Sequence, residues 1–379
     1  MQNFKVKTNV CFGEGALNVL SEQKGNVVIF TDAFMVSSGA AENIKSKLSS
    51  ADSVKIFGEI KPDPPIELIA AGLGFLVDAK ADCVVALGGG SSIDAAKATI
   101  LMAKRSGFKD QIKLIAIPTT SGTGSEVTNF AVITDSNTHI KYPLVSDRLL
   151  PQIAILDPAL VRSVPPRVTA DTGMDVLTHA IEANVSTAAT DFSDALAEKA
   201  IRLVRDYLPR AYHEGDDMEA REHMHNASCL AGVAFNHASL GINHSIAHVL
   251  GARLHIPHGR ANAIVLPYVI EFNSHMYEKQ FHADARAAKI YAHIGMIISP
   301  GNYTGQHAVR NLTLSIDRMN NEFGIPSTLR ETGVDEKAFL DMVPEMAEIA
   351  LQDKCTLTNP RAVSKPQMVE LLKRIYYGR

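Results

Sequence analysis

The chain has 379 residues, of which 46% are hydrophobic and 21% are charged, and its formal net charge is −4 at pH 7. This composition is typical of globular proteins and excludes disordered, collagen-like and fibrous chains. The weak negative charge gives no electrostatic footprint for nucleic acid, and the longest apolar runs are too short to span a bilayer. Four widely spaced cysteines and an N-terminus without an apolar core favour a reduced, cytoplasmic protein.

The first part of the chain alternates between predicted strands and predicted helices. Apolar runs at 27–30, 83–87 and 114–117 are short, rich in β-branched residues and bounded by Asp, Gly or Pro, which is typical of buried parallel strands. Helical periodicity at 66–79 and 92–103 falls between these runs. The pattern predicts an α/β layer with a mainly parallel sheet.

Asp32 closes the first predicted strand. A carboxylate at this position can accept hydrogen bonds from an adenosine ribose and would repel a 2′-phosphate, which favours NAD over NADP. The alternative is that Asp32 serves only as the N-cap of the helix that follows.

Two loops rich in glycine or hydroxyl groups follow the next two predicted strands. Residues 88–94 open a helix, so their backbone N–H groups can face an anion, although Ile93 stands where a GxGxxG fingerprint has its third glycine. Residues 118–126 carry five hydroxyls and two glycines, which can donate to phosphate or ribose oxygens. A tight turn and a Ser/Thr-rich helix cap are the structural alternatives. Two such loops at the ends of successive strands favour a nucleotide cleft.

The pattern changes after Pro165-Pro166, a pair that disfavours helix before it and marks a domain boundary. Segments at 171–183, 191–212 and 218–235, and several later ones up to residue 377, have helical periodicity with almost no strand-like runs. We therefore predict two domains, an α/β domain at residues 1–168 and an all-helical domain at residues 169–379.

Histidines are concentrated in the second domain, where thirteen of the fourteen lie. Asp175 and His179 are four residues apart on one helical face, His244 and His248 repeat this spacing, and His258 follows in a Pro-His-Gly sequence. One carboxylate and three imidazoles can hold a divalent first-row metal and leave a position open for substrate. The absence of thiolates favours Fe2+, Zn2+ or Mn2+. The other histidines are interpreted as ordinary core or surface residues.

Over essentially its whole length the chain resembles the iron-containing (group III) alcohol dehydrogenase family. The resemblance is carried by 88–91 with Asp94 and Lys97, 118–126, 173–180, 243–248, 257–259 and 359–361. Within the family, 141–144, 166–180 and 224–232 are most similar to the propanol dehydrogenases of 1,2-propanediol utilisation, with ethanolamine-pathway alcohol dehydrogenases a near second.

The resemblance implies a dehydroquinate synthase-like fold, with a Rossmann-like NAD-binding domain followed by an all-α metal-binding domain. It implies that Asp175, His179, His244 and His258 bind Fe2+, a site that would also accept Zn2+, and that His248 relays a proton. The residues that match cofactor contacts are Asp32, Gly89, Gly90, Ser91, Asp94, Thr119, Thr120, Thr123, Thr128, Lys141 and Leu160. The residues that match the lining of the alcohol pocket are Phe130, Phe235 and Cys355.

The expected reaction is reversible hydride transfer between NAD(H) and a short aldehyde/alcohol pair, propanal/1-propanol or acetaldehyde/ethanol. Diol and glycerol-type dehydrogenases are alternatives, as is a dehydroquinate synthase-like lyase, although no Lys/Arg cluster for a phosphorylated substrate accompanies the ligands. A non-catalytic cargo role in a bacterial microcompartment is a further alternative. The resemblance also implies a homo-oligomer, with microcompartment shell proteins or pathway enzymes as partners. The weak negative charge and the short apolar runs argue against a nucleic-acid or membrane partner.

Overall fold

The computed structural model describes residues 3–109, 111–136, 141–276 and 285–379, without the side chain of Lys141. The chain divides into two compact units, Met1–Val164 with Asp216–Asn236 and Pro165–Gly215 with His237–Arg379. The single boundary predicted between residues 168 and 169 differs from this division, because one helical segment returns to the first unit.

A six-stranded parallel sheet forms the centre of the first unit. Its strands are β1 (Asn9–Phe12), β2 (Asn26–Asp32), β3 (Ser53–Ile60), β4 (Cys83–Gly88), β5 (Lys113–Pro118) and β8 (Ile153–Leu156). They lie in the order β1-β8-β5-β4-β2-β3. The predicted strands at 27–30, 83–87 and 114–117 are confirmed as the adjacent strands β2, β4 and β5. Their apolar residues are buried on both faces, which explains why the runs do not alternate with polar residues.

Helices cover the sheet. They are α1 (Ala33–Ser37), α2 (Ala40–Lys47), α3 (Ile66–Ala79) and α4 (Gly90–Arg105), and the last two confirm the predicted helices at 66–79 and 92–103. One core cluster joins a sheet face to α3 and α4 through residues such as Ile69 and Ile93, and the other joins the opposite face to α2 through Ile44. An antiparallel ribbon of β6 (Phe130–Thr134) and β7 (Lys141–Val145) follows β5.

The helices after Pro165 confirm the change of pattern seen in the sequence. They are α5 (Pro166–Val185), α6 (Asp191–His213), α7 (Met218–Ala238), α8 (Ile242–Leu254), α9 (His258–Asn273), α10 (Arg286–Ile298), α11 (Gly305–Glu322), α12 (Glu336–Gln352) and α13 (Lys365–Tyr377). Helix α5 begins at Pro166, where a missing N–H group leaves no hydrogen bond unmade. Among the described residues, no helix is both long enough and apolar enough to cross a membrane.

Helix α7 belongs to the first unit up to Asn236 because it packs on the loops that follow the sheet. The side-chain oxygen of Asn236 accepts a hydrogen bond from the backbone N–H of Asn129 at 2.8 Å. Periodicity predicts that this segment is helical, but it carries no information about which domain the helix joins.

Candidate functional site

The predicted nucleotide loops lie side by side at one edge of the sheet. Strands β2, β4 and β5 are parallel neighbours, so their carboxyl ends meet there. The backbone N–H of Thr119 donates to the carbonyl of Gly88 at 3.0 Å and joins the two loops directly. Gly88 has φ +146°, and a Cβ atom there would lie 2.4 Å from Ser92 Oγ, so only glycine fits this turn.

Asp32 lies at the same edge and caps α1. Its Oδ1 accepts a hydrogen bond from the backbone N–H of Met35 at 2.9 Å. The capping alternative is therefore present in the structure, but it occupies only one carboxylate oxygen. Oδ2 faces the first loop and lies 3.5 Å from the position that a Cβ atom would take if Gly88 had a side chain. The ribose contact remains a prediction.

Lys97 on α4 holds the end of the second loop and the residues that follow it through hydrogen bonds. The residue is fully buried, and its Nζ donates to the carbonyl oxygens of Thr128 and Phe130, both at 2.8 Å, and to Ser125 Oγ at 3.0 Å. Burial lowers the pKa of Lys97 to about 8, against the attraction of the Asp94 and Glu126 carboxylates. Lys97, one of the residues that carry the family resemblance, thus holds two backbone oxygens at a fully buried position.

Asp94 completes this anchor. Its Oδ1 accepts from Ser125 Oγ at 2.7 Å and its Oδ2 from the backbone N–H of Val132 at 2.9 Å. Both carboxylate oxygens are therefore engaged within the protein, and Thr128 Oγ1 lies 3.3 Å from Lys97 Nζ. Direct cofactor contacts by Asp94 and Thr128 remain predictions.

The remaining predicted cofactor residues surround the same loops. Gly89, Gly90 and Ser91 lie at the start of α4, Thr119, Thr120 and Thr123 lie in the second loop, and Leu160 lies in the 3₁₀ turn Pro158–Val161. The side chain of Lys141 is outside the described residues.

His225 on α7 supports the second loop, although the sequence analysis assigned it no special role. It is buried, and its Nδ1 lies 3.0 Å from Ser121 Oγ. Burial lowers the pKa of His225 from 6.5 to about 4, so the folded protein holds this imidazole neutral.

We predict that this histidine makes the protein less stable in acid. Between pH 6.5 and 4 the unfolded chain binds a proton at His225 that the folded chain does not, so the free energy of unfolding falls as the pH falls. The full effect is about 3 kcal/mol. Urea unfolding of wild type and His225→Gln at pH 6.5, 5.5 and 4.5 measures it. The variant should lose less stability than wild type, and parallel losses would contradict the prediction.

The second unit brings the four predicted metal ligands together. Asp175 and His179 lie one turn apart on α5, His244 lies near the start of α8, and His258 is the first residue of α9. One ligand atom from each of the four lies within 4.8 Å of the others. The first three residues are buried, whereas the side chain of His258 is 42% exposed. The group therefore has a protected base and one side open to solvent.

Asn262 shows that the ligand atoms converge on one point. Its Nδ2 lies 2.6 Å from Asp175 Oδ1, 3.1 Å from His244 Nε2 and 3.2 Å from His258 Nε2. The Asn262 amide is oriented by Asn243, whose Nδ2 donates to Asn262 Oδ1 at 2.9 Å. These three atoms are hydrogen-bond acceptors that surround one donor. A cation likewise requires several acceptor atoms directed at one point.

Glu182 fixes the orientation of His244. It lies on α5 three residues after His179, is buried, and its Oε2 accepts from His244 Nδ1 at 2.5 Å. Burial raises the pKa of Glu182 to about 8, but the backbone N–H groups of Asn243 and His244 donate to its Oε1 and Oε2 and favour the carboxylate. We therefore assign the shared proton to Nδ1 of His244, so that Nε2 presents its lone pair to the ligand group. The spacing of Glu182 from Asp175 and His179 matches one helical face, which is the only sequence signal that could have identified it.

The residues present fit a divalent first-row metal. The donor set contains one carboxylate and three imidazoles, which suits Fe2+ or Zn2+. Burial raises the pKa of Asp175 and lowers the pKa of His244 well below its usual value. A bound dication would supply the positive charge that this buried carboxylate otherwise lacks.

Helices α5 and α9 approach closely at Gly259, beside this group. A Cβ atom on Gly259 would lie 2.1 Å from the carbonyl oxygen of Asp171 and 3.3 Å from Asp175 Cβ. The glycine of the Pro-His-Gly motif is therefore required for close packing between α5 and α9, which carry three of the four ligands.

His248 lies one turn after His244, beside the ligand group. Its ring stacks on that of His258 with a centroid distance of 5.4 Å, and its Nδ1 lies 2.8 Å from Asp353 Oδ2. A carboxylate only accepts, so Nδ1 donates and Nε2 is left to exchange a proton. Asp353 was missed by the sequence analysis because it lies 105 residues away in the chain.

The predicted pocket residues fall in different units. Phe130 and Phe235 are half-buried in the first unit, and Cys355 is half-buried in the second. The alcohol pocket that they would line remains a prediction.

Comparisons with known proteins agree with the site. Residues 7–158 match the model of iron-containing alcohol dehydrogenases, and residues 169–376 match the model of the C-terminal part of that family. The chain is 43% identical over 378 residues to a 1-propanol dehydrogenase of Citrobacter freundii, covering 99% of this chain and 100% of that protein. It is 40% identical over 395 residues to an NADPH-dependent butanol dehydrogenase of Clostridium saccharobutylicum, covering 100% of this chain and 99% of that protein.

A solved structure also resembles this chain. The sulfoacetaldehyde reductase of Bifidobacterium kashiwanohense, in complex with NAD+, superposes with a TM-score of 0.85 and 28% identity and covers 100% of both chains.

Proposed function

Because the chain belongs to the iron-containing alcohol dehydrogenase family, we propose that it interconverts a short-chain aldehyde and its primary alcohol, with Fe2+ and NAD(H). Propanal/1-propanol and acetaldehyde/ethanol are the proposed pairs. The observation that carries the proposal is the group of Asp175, His179, His244 and His258, whose ligand atoms lie within 4.8 Å of one another.

The chemistry divides between the bound groups and the chain. When bound, the cation supplies Lewis-acid activation of the substrate oxygen and NAD(H) supplies or accepts the hydride. The chain holds the cation through Asp175 and the three imidazoles. Glu182 keeps His244 in the tautomer that binds, so the ligand set is preorganised.

His248 is the proposed proton relay. Asp353 accepts from its Nδ1 at 2.8 Å, so the ring keeps a fixed orientation and exchanges its proton at Nε2. The side chain of His248 is 35% exposed, which lets it pass that proton to water.

The cofactor is proposed to bind at the loop edge of the first unit. The start of α4 offers backbone N–H groups to a pyrophosphate, and the loop at 118–126 offers hydroxyls. Lys97 and Asp94 hold this second loop in shape, and Asp32 accepts from the ribose through Oδ2.

The substrate class follows from the predicted pocket. Phe130 and Phe235 would make it apolar and narrow, which suits propanal and acetaldehyde better than sugars. One methylene changes binding in such a pocket by only ~1–3 kcal/mol, so the chain-length preference should be graded.

An anaerobic assay tests the proposed function. The Fe2+-reconstituted protein is given NADH and then propanal, acetaldehyde, butanal or lactaldehyde, and NADH absorbance is followed. We expect metal-dependent loss of NADH with propanal or acetaldehyde. Absence of turnover with every aldehyde, in a sample with full metal content, would overturn the proposal and favour a lyase or cargo role.

Asp32→Ser is expected to relax the preference for NADH. Serine keeps the cap of α1 but removes the charge that repels a 2′-phosphate, so the ratio of kcat/KM for NADH to that for NADPH should fall about 10- to 100-fold, equivalent to about 1.4–2.7 kcal/mol. The matched control is Asp335→Ser, which changes the acidic N-cap of α12 in the second unit. An unchanged ratio in Asp32→Ser would exclude the ribose contact.

We also propose a homo-oligomer that is cargo of a microcompartment, on the likeness to propanediol-utilisation dehydrogenases. Size-exclusion chromatography tests the first statement. Pull-down with shell proteins tests the second, independently of turnover.

A further inference from the structure

A second group of metal-ligating side chains lies beside the four-residue site. It consists of His248 on α8 and of Asp353 and Cys355, which follow α12. The ligand atoms of these three residues also lie within 4.8 Å of one another. All three side chains are half-buried, and together they offer one nitrogen, one oxygen and one sulfur atom.

The backbone around this group is held in place by hydrogen bonds. Asp353 Oδ1 accepts from the backbone N–H of Cys355 at 2.8 Å. Thr356 Oγ1 lies 2.8 Å from Ser245 Oγ on α8 and donates to the carbonyl of Ala350 at 2.7 Å. These contacts hold the segment after α12 against α8, the helix that carries His248. The backbone positions of the three ligands are therefore fixed by hydrogen bonds.

We propose that His248, Asp353 and Cys355 form a second cation site, which takes a thiophilic divalent ion such as Zn2+ or Co2+ in tetrahedral coordination with water as the fourth ligand. Zn2+ binds Cys sulfur, His nitrogen and carboxylate oxygen in tetrahedral sites. The four-residue site contains no thiol, so the two sites differ in chemistry.

Binding at the second site requires small changes in protonation and distance. Tetrahedral ligand atoms are about 3.3–3.8 Å apart, so the 2.8 Å contact between His248 and Asp353 must open by about half an ångström. The Cys355 thiol releases its proton to solvent and becomes the thiolate ligand. The His248 proton moves from Nδ1 to Nε2, and no oxidation or reduction takes place.

Occupancy of this site has a consequence that rests on the proposed function. A cation on His248 Nδ1 and Asp353 removes the contact that orients the proposed proton relay. Zn2+ bound at this site should therefore inhibit the iron-loaded enzyme, and the iron content of the same sample separates this inhibition from replacement of Fe2+ at the four-residue site.

Cobalt absorption tests the site without using turnover. The full chain, freed of metal with a chelator, is titrated with Co2+ under reducing conditions. A thiolate ligand gives a sulfur-to-cobalt charge-transfer band in the near ultraviolet, which imidazole and carboxylate ligands do not give. We expect this band in wild type and its loss in Cys355→Ser. Cys11→Ser, a change of another half-buried thiol, is the control and should keep the band.

A second variant distinguishes loss of the thiolate ligand from misfolding of Cys355→Ser. Asp353→Asn keeps the thiol and should weaken the Co2+ affinity at least tenfold, measured from the same band. The proposal is overturned if wild type shows no charge-transfer band after its metal content and its visible Co2+ absorption have both reached saturation. A band that persists in Cys355→Ser would also overturn it. Because the spectrum needs no substrate, these outcomes are distinguishable from failure of the proposed enzyme activity.

Discussion

Replacing His244 with alanine is expected to remove the bound cation and to lower kcat/KM for propanal by about 10³-fold or more. His244 is buried among the other ligands, and Nε2 is its only atom available to the cation, because Nδ1 donates to Glu182. Metal activation of a carbonyl oxygen stabilises the transition state by several kcal/mol, and each 1.4 kcal/mol changes the rate about tenfold. Metal content per chain and turnover are measured on the same sample.

A matched control separates ligand loss from general damage. His293→Ala removes an exposed imidazole that pairs with Glu198 in the same unit, and it should retain both metal and turnover. Full activity in metal-free His244→Ala would contradict the ligand assignment.

Replacing Lys97 with methionine should destabilise the first unit by ~3–5 kcal/mol, since removing one partner of a buried charged group leaves the other without compensation. Lys97 is fully buried and donates to Ser125 Oγ and to the carbonyls of Thr128 and Phe130. Methionine has nearly the same length but no donor. The acidic groups of Asp94 and Glu126 would also lose the positive charge of Lys97, which favours their ionised forms against burial. Urea unfolding of the full chain measures the loss.

Arg105→Met is the control for Lys97→Met. Arg105 lies on the same helix but is exposed, so the free energy of unfolding should change by less than ~0.5 kcal/mol. NADH binding to the folded fraction of Lys97→Met should also weaken, because the second loop loses its anchor. Equal stability of the two variants would show that the buried amine does not organise this loop.

The strands and helices were the most predictable features. Strands β2, β4 and β5 are predicted from continuous apolar runs because both of their faces are buried. Asp175 and His179 are predicted as a ligand pair because four residues bring two side chains to one helical face. His258 was predicted because it follows the two four-residue pairs in a Pro-His-Gly sequence, and the close approach of α5 and α9 at Gly259 explains the glycine of that sequence.

The residues that support the ligands were not predictable in the same way. Glu182, Asn262 and Asp353 are common residue types on helices or turns, and their roles arise only when distant segments meet. His225 was interpreted as an ordinary core or surface histidine, and its burial against Ser121 fits the first of these without having been located by the sequence. The return of Asp216–Asn236 to the first unit is likewise a tertiary event without a local signal.

The central claim is that the four-residue cation centre carries the chemistry, and an Fe2+ titration of the chelated protein tests it most directly. Turnover of propanal with NADH is measured under anaerobic conditions as Fe2+ is added. We predict negligible turnover without metal and a linear rise that reaches its plateau at one Fe2+ per chain. Turnover at the full rate in the metal-free protein would contradict the claim.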